Sequence, residues 1–135
     1  MELLHKDLTD SILKVYFDVY NELGYGFLER VYQNALYMEL KERGFFVEAQ
    51  KQIRVFYKSR EVGEYYADLV VNETVILELK AAEVVVPEFE YQLVNYLRAT
   101  PVEVGLLLNF GPKPAFKRKV FTNDRKKLAH NTKFQ

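Results

Sequence analysis

Asp68 and the run Glu78-Leu79-Lys80 are the residues whose types and spacing best suit chemistry. Alternate side chains of a strand share a face, so Glu78 and Lys80 point together while Leu77 and Leu79 point the other way. The short polar turn Val71-Asn72-Glu73 predicts an antiparallel hairpin that carries Asp68 across from Glu78. Two carboxylates and one ammonium then reach a common centre. Asp68, Glu78 and the backbone carbonyl of Leu79 are hard oxygen ligands suited to Mg2+ or Mn2+, and Lys80 is placed to orient water or stabilise developing negative charge. Acids and lysines also pair on the solvent face of ordinary strands, so this spacing alone leaves a surface pairing open beside a metal site.

Gln92 and Tyr96, four apart on a predicted helix, share one face. Gln92 is a candidate for orienting water or a phosphate and Tyr96 for contacting a substrate backbone; plain helix packing is the alternative. Glu29 and Tyr32 lie three apart on an earlier helix. Packed over the sheet, that helix brings Glu29 toward the metal centre as an outer or direct ligand, with Tyr32 beside Tyr96 as a substrate-orienting group. An exposed acid at a helix start is the ordinary alternative for Glu29.

The elements that must position these groups follow from periodicity. Ile12, Tyr16, Val19, Tyr20 and Leu23 recur at helical spacing within Thr9–Leu23, with Thr9 or Asp10 as the cap. Gly24-Tyr25-Gly26 makes a turn, and Leu28, Val31, Tyr32, Ala35, Leu36 and Leu40 form a second apolar stripe ending before Gly44. Strands are predicted at Phe45–Ala49, Ile53–Tyr57, Glu64–Val71 and Thr74–Leu79, a third helix at Glu90–Ala99, and a buried strand at Val104–Phe110. Arg118–Phe121 is a candidate edge strand. This order predicts a mixed α/β sheet with helices before and after its central strands.

The 135 residues contain no cysteine, which excludes disulfides, thiolate catalysis and cysteine-held metals. Two distant histidines, His5 and His130, make no metal spacing, and there is neither a Walker loop nor a dinucleotide glycine fingerprint. Acids close to the N-terminus and the lack of a long apolar run predict no signal peptide, no membrane contact and a cytoplasmic location. Basic and acidic residues cancel at 19 each, yet eight of the basic ones fall in residues 111–135 against Asp124 alone. Lys117, Arg118 and Lys119 are thus candidate phosphate contacts, or else a solvated surface or partners for the chain's own acids. The ten tyrosines and ten phenylalanines are expected to pack the core rather than to stack on bases.

Taken together, these residues resemble the GxxExxY protein family. Gly26, Glu29 and Tyr32 match its naming pattern, and the resemblance continues through Gln50, Tyr57, Ala67-Asp68-Leu69, Glu78-Leu79-Lys80, Gln92, Asn95 to Thr100 and Asn109-Phe110-Gly111. It spans roughly residues 8 to 121. That family in turn resembles the PD-(D/E)XK nuclease superfamily, which implies a restriction-endonuclease-like α/β fold, a mixed central sheet flanked by helices. The resemblance places Asp68, Glu78 and Lys80 in the catalytic core, with Gln92 and Tyr96 as the QxxxY pair of RecB-like members and Glu29 as the helix-borne accessory acid. Phe89 stands where many family members have histidine, and Ala67 replaces the superfamily's proline before the first acid.

The implied function is Mg2+- or Mn2+-dependent hydrolysis of DNA or RNA by one domain over residues 1–122, followed by a basic tail over 123–135. A catalytically silent nucleic-acid-binding or protein-interaction module is the second class. A second copy, or a larger defence or repair partner, is an expected companion for so small a domain.

Overall fold

The computed structural model describes residues 3–127. Two helices, α1 (Lys6–Leu23) and α2 (Glu29–Glu42), precede strands β1 (Val47–Tyr57), β2 (Arg60–Val71) and β3 (Val75–Lys80). Helix α3 (Pro87–Arg98) then leads to β4 (Val104–Phe110), β5 (Pro114–Val120) and a single 3-10 turn, Asn123–Arg125. The five strands lie in sequence order, with β3 and β4 parallel and every other neighbour antiparallel. Helix α3 is the crossover that a parallel pair requires. The result is the expected mixed sheet flanked by helices.

Apolar side chains sort into two layers. Ile12, Val15, Tyr16 and Val19 of α1 and Tyr32, Leu36 and Leu40 of α2 bury against Leu77, Leu79, Leu106 and Leu108 on one face. Leu93, Tyr96 and Leu97 of α3 bury against Val70, Ile76 and Leu107 on the other. Strands β3 and β4 are covered on both faces, which explains their unbroken apolar runs.

Several boundaries differ from the sequence reading, each for a local reason. Helix α1 begins at Lys6, and the Thr9 hydroxyl bonds back to the carbonyls of His5 and Lys6 instead of capping. Asp10 pairs with Lys6 at 2.6 Å. Helix α3 begins at Pro87, whose fixed φ suits a first helical position. On α2, Leu28 is 80% exposed and only Tyr32, Leu36 and Leu40 carry the buried stripe. The edge strand β5 starts at Pro114 and forms a full hairpin with β4.

The two strands expected at Phe45–Ala49 and Ile53–Tyr57 are one, β1, kinked at Gln50, which has φ 52°. Val47 packs on the α1/α2 face and Ile53 on the α3 face, although six residues apart on a regular strand share a face. Strand β2 switches in step, because Leu69 packs on the α1/α2 face and Ala67 on the α3 face. Beyond the switch, β1 and β2 continue as a two-stranded ribbon closed by Lys58 and Ser59, both at positive φ.

Of the basic segment expected over 123–135, residues 123–127 are described and 128–135 lie outside the described residues. Lys126 donates to the carbonyls of Thr100 and Val102 at 2.7 and 2.6 Å, which ties this segment to the end of α3. Burial pushes its ammonium down to about 8. No helix among the described residues is long and apolar enough to cross a membrane.

Past Lys80 the chain is held by Asn109, whose amide accepts from the Ala82 N–H and donates to the Ala82 carbonyl, both at 3.0 Å. A Cβ on Gly111 would lie 2.3 Å from that carbonyl oxygen and 2.8 Å from the Asn109 amide. Gly111→Ala is therefore expected to destabilise the fold by about 1–3 kcal/mol, measured by urea unfolding. An unchanged midpoint would show that this bracket is slack.

Candidate active site

Pairing between β2 and β3 stops one step short of Asp68 and Glu78, running from Val71↔Val75 to Leu69↔Leu77. Side chains take over where the ladder ends. The Asp68 N–H donates to Glu78 Oε1 at 3.1 Å, and the Leu79 N–H donates to Asp68 Oδ2 at 2.8 Å. Each carboxylate thereby satisfies a backbone donor that the parted strands would otherwise orphan. On the other side, β1 pairs with β2 at Ala49↔Leu69 and Lys51↔Ala67 but skips Gln50 opposite Asp68.

The kink at Gln50 has a chemical consequence. Its side-chain amide hydrogen-bonds toward Asp68, which favours the charged form of that acid. The same amide donates to Gln33 Oε1 of α2 at 3.1 Å. Gln50 and Gln33 thus link α2 to the acid centre, a role that residue types and spacing did not reveal. The signal available was Gln50's position in the polar gap between two predicted strands.

Glu78 is only 4% exposed, and burial first, then the charge of Asp68, holds its carboxyl well above the usual range. Burial also raises Asp68, opposed by the Leu79 N–H, Lys80, Glu78 and Gln50. Two acids so close cannot both ionise cheaply, so the pair's hold on protons is raised. Lys80 follows on the same strand, with its ammonium 4.8 Å from the centre of the Phe89 ring. Phe89 thus offers the Lys80 ammonium a π face.

On α3, Tyr96 is nearly buried, and its hydroxyl is pushed up by burial and by the charges of Glu78 and Asp68. Gln92 and Tyr96 share the wall of a cavity of about 460 Å³ between α3 and the ribbon, with Val55 and Tyr65 opposite. Tyr65 meets Tyr96 ring to ring at 5.6 Å. Neither Tyr65 nor exposed Tyr91 packs the core as the aromatics were expected to.

Other sequence candidates fall elsewhere. Tyr32 is fully buried, donating to the Gly24 carbonyl at 2.6 Å, accepting from the Phe27 N–H at 3.1 Å and stacking on Phe110 at 4.3 Å. It locks the α1–α2 turn and is out of a substrate's reach, which corrects the expectation that it orients substrate. Glu29 is exposed at the first position of α2, one turn before Gln33. Among the described residues no group of three or more His, Asp or Glu side chains gathers, so Glu29 does not complete a three-acid cluster.

The basic edge is largely engaged within the chain. Lys119 pairs with Glu90 at 2.6 Å, and Arg118 donates to the Leu4 carbonyl. Lys119 thus partners one of the chain's own acids, Arg118 a backbone carbonyl instead, and Lys117 stays exposed.

A sequence profile of the PD-(D/E)XK nuclease superfamily matches residues 6–120. The crystal structure of SSO0001 is similar at 15% identity and a TM-score of 0.45, over 69% of this chain and 50% of that one. The chain thus spans half the length of that structure. No curated protein matches significantly.

The raised carboxyls make stability fall with pH. Between the ordinary carboxylate range and the raised value, the folded state holds a proton that the unfolded chain has released. Unfolding free energy is therefore full below the ordinary range and is lost as pH climbs through the raised value, at up to about 1.4 kcal/mol per pH unit for one proton. Glu78→Gln is expected to flatten that slope in denaturant titrations across pH. An unaltered slope would mean that Glu78 ionises freely.

Proposed function

Because this chain belongs to the PD-(D/E)XK nuclease superfamily, we propose that it hydrolyses phosphodiester bonds of DNA or RNA with Mg2+ or Mn2+ at Asp68 and Glu78. The observation that carries this reading is the acid pair where β2 and β3 part, with Lys80 following on the same strand. The donor set suits a hard cation. It is all oxygen, and its raised carboxyls report a site short of positive charge. Two protein carboxylates are enough for Mg2+, which commonly keeps waters and takes substrate phosphate as its remaining ligands. The carbonyl of Leu79 is the proposed third protein oxygen. When bound, the ion supplies charge stabilisation on the phosphate oxygens and a more acidic water.

The chain's own groups have distinct tasks. Asp68 is fixed by the Leu79 N–H and Gln50, so its carboxylate is held in place without reorganisation cost. Lys80, steered by Phe89, orients the attacking water and offsets charge on the pentacoordinate phosphorus. Water oxygen bonds to phosphorus as the opposite P–O bond breaks, and the proton that the water gives up balances, through solvent, the one that the leaving oxygen takes. Gln92 orients the phosphate, Tyr96 contacts the substrate backbone, and Glu29 acts through the outer ligand sphere from the α2 face that carries Gln33. Lys117 is the proposed phosphate contact of the basic edge.

Calorimetric titration with Mn2+ tests the centre, followed by cleavage of labelled DNA and RNA. Saturable binding is expected for the unaltered protein and its loss for Asp68→Ala. Lys80→Ala is expected to keep metal binding while cleavage falls about 10²–10³-fold. A well-folded protein that binds no Mn2+ even with a phosphorothioate oligonucleotide present would sink the assignment.

A further inference from the structure

The cavity beside the acid pair has a composition that metal chemistry does not call for. Glu88, Tyr91, Gln92, Asn95 and Arg98 lie along one stripe of α3, at helical spacing, and line it together. The facing ribbon contributes Tyr65 and Val55. Tyr65 is 47% and Tyr91 66% exposed, so two aromatic rings stand at the cavity with much of their surface unburied. A core does not need them there.

Resting on the nuclease reading above, we propose that this cavity receives one unstacked base of a single-stranded nucleic acid whose scissile phosphate lies at Asp68 and Glu78. Its volume of about 460 Å³ falls within the range of small-molecule sites. Tyr65 and Tyr91 supply ring faces, which attract any base and are useless to a duplex whose bases are already stacked. The amides of Gln92 and Asn95 each carry both donors and an acceptor for a base edge. Arg98, bonded to Asn95 Oδ1 at 3.4 Å, places a cation at the C-terminal end of the stripe for the neighbouring phosphate. Glu88 sits at the opposite end of the stripe and disfavours phosphate there.

Continuity fixes the link to catalysis. Tyr65 lines the cavity three residues before Asp68 on β2 and meets Tyr96 ring to ring at 5.6 Å, and Ala67 packs in the same cluster as Tyr96, so base pocket and acid pair are built on one strand. The ribbon exists only because β1 and β2 change face at Gln50 and Asp68. The kink that presents the acid thus also turns Tyr65 toward α3.

The test is fluorescence anisotropy with a labelled oligothymidine, a duplex of equal length, and a strand with one abasic position, all against metal-free Asp68→Asn protein. Single-strand binding is expected to be tighter than duplex binding. It should weaken about tenfold with either Tyr65→Ala or Tyr91→Ala added, the loss of one base stack. Moving the abasic position along the strand should locate one register whose loss matches those variants. Equal affinity for duplex, or tyrosine variants that bind as the parent does while circular dichroism shows them folded, would overturn the proposal. Because binding is read without cleavage, tyrosine-dependent binding with no cutting by the unaltered protein keeps the pocket and rejects the catalytic reading. Cutting of duplex without tyrosine dependence does the reverse.

Discussion

The structure depends on a substitution of side chains for backbone at one point. Where β2 and β3 part, the carboxylates of Asp68 and Glu78 accept the N–H groups that a continued ladder would have paired. Parting leaves the N–H groups of Asp68 and Leu79 without ladder partners. Unpaired backbone donors at this depth would each cost of the order of a lost hydrogen bond, so the acids stabilise the opening that they serve. In exchange, two like-charged groups sit where water hardly reaches, and their raised affinity for protons is the physical trace of that conflict. The divalent cation proposed above would relieve that conflict by supplying the positive charge the pair lacks.

The second consequence of the same point is the change of face. A sheet that kept strict alternation would direct Ile53 and Ala67 toward α1 and α2. Instead the left-handed backbone of Gln50, matched by a switch in β2, turns the distal ribbon over to α3. This is why period-two reasoning placed Glu78 and Lys80 together, and Leu77 and Leu79 opposite, yet did not foresee the cavity. On β3 the alternation is regular; on β1 and β2 it breaks at a glutamine, a residue with no special tendency toward positive φ. Two predicted strands with a polar gap were the visible symptom of one kinked strand. The turn at Lys58-Ser59-Arg60 was by contrast legible as a polar break between two strand patterns, although neither Lys58 nor Ser59 advertises its positive φ.

Legibility in the candidate site followed physical type. Acids and a lysine at alternating positions announce themselves, because few other arrangements make that pattern useful. Hydroxyl and amide groups do not. Tyr32 and Tyr96 are both helical tyrosines near the acids in sequence pattern, yet one is consumed by the carbonyl of Gly24 and the N–H of Phe27 while the other borders the cavity. Only tertiary placement separates them. Gly26, at φ 121°, makes the turn before α2, and Tyr32 locks that turn, so the outer members of the Gly26–Glu29–Tyr32 pattern are structural. Together they set where Glu29 is presented. Asn109 is a parallel case: a buried amide that reads as a flaw in an apolar strand is the bracket that ends β3 just past Lys80.

Charge explains why stacking belongs in this account. A neutral chain cannot gather a polyanion by field alone. Its basic edge is weakened further, since Lys119 is paired to Glu90 and Arg118 to a backbone carbonyl. Affinity that does not come from counterion release has to come from short-range surface. Exposed tyrosines on the ribbon and α3 are that surface. Such rings work at contact distance and ask for a base that has left its stack, so the proposed pocket would add grip and a single-strand preference that a neutral net charge does not supply.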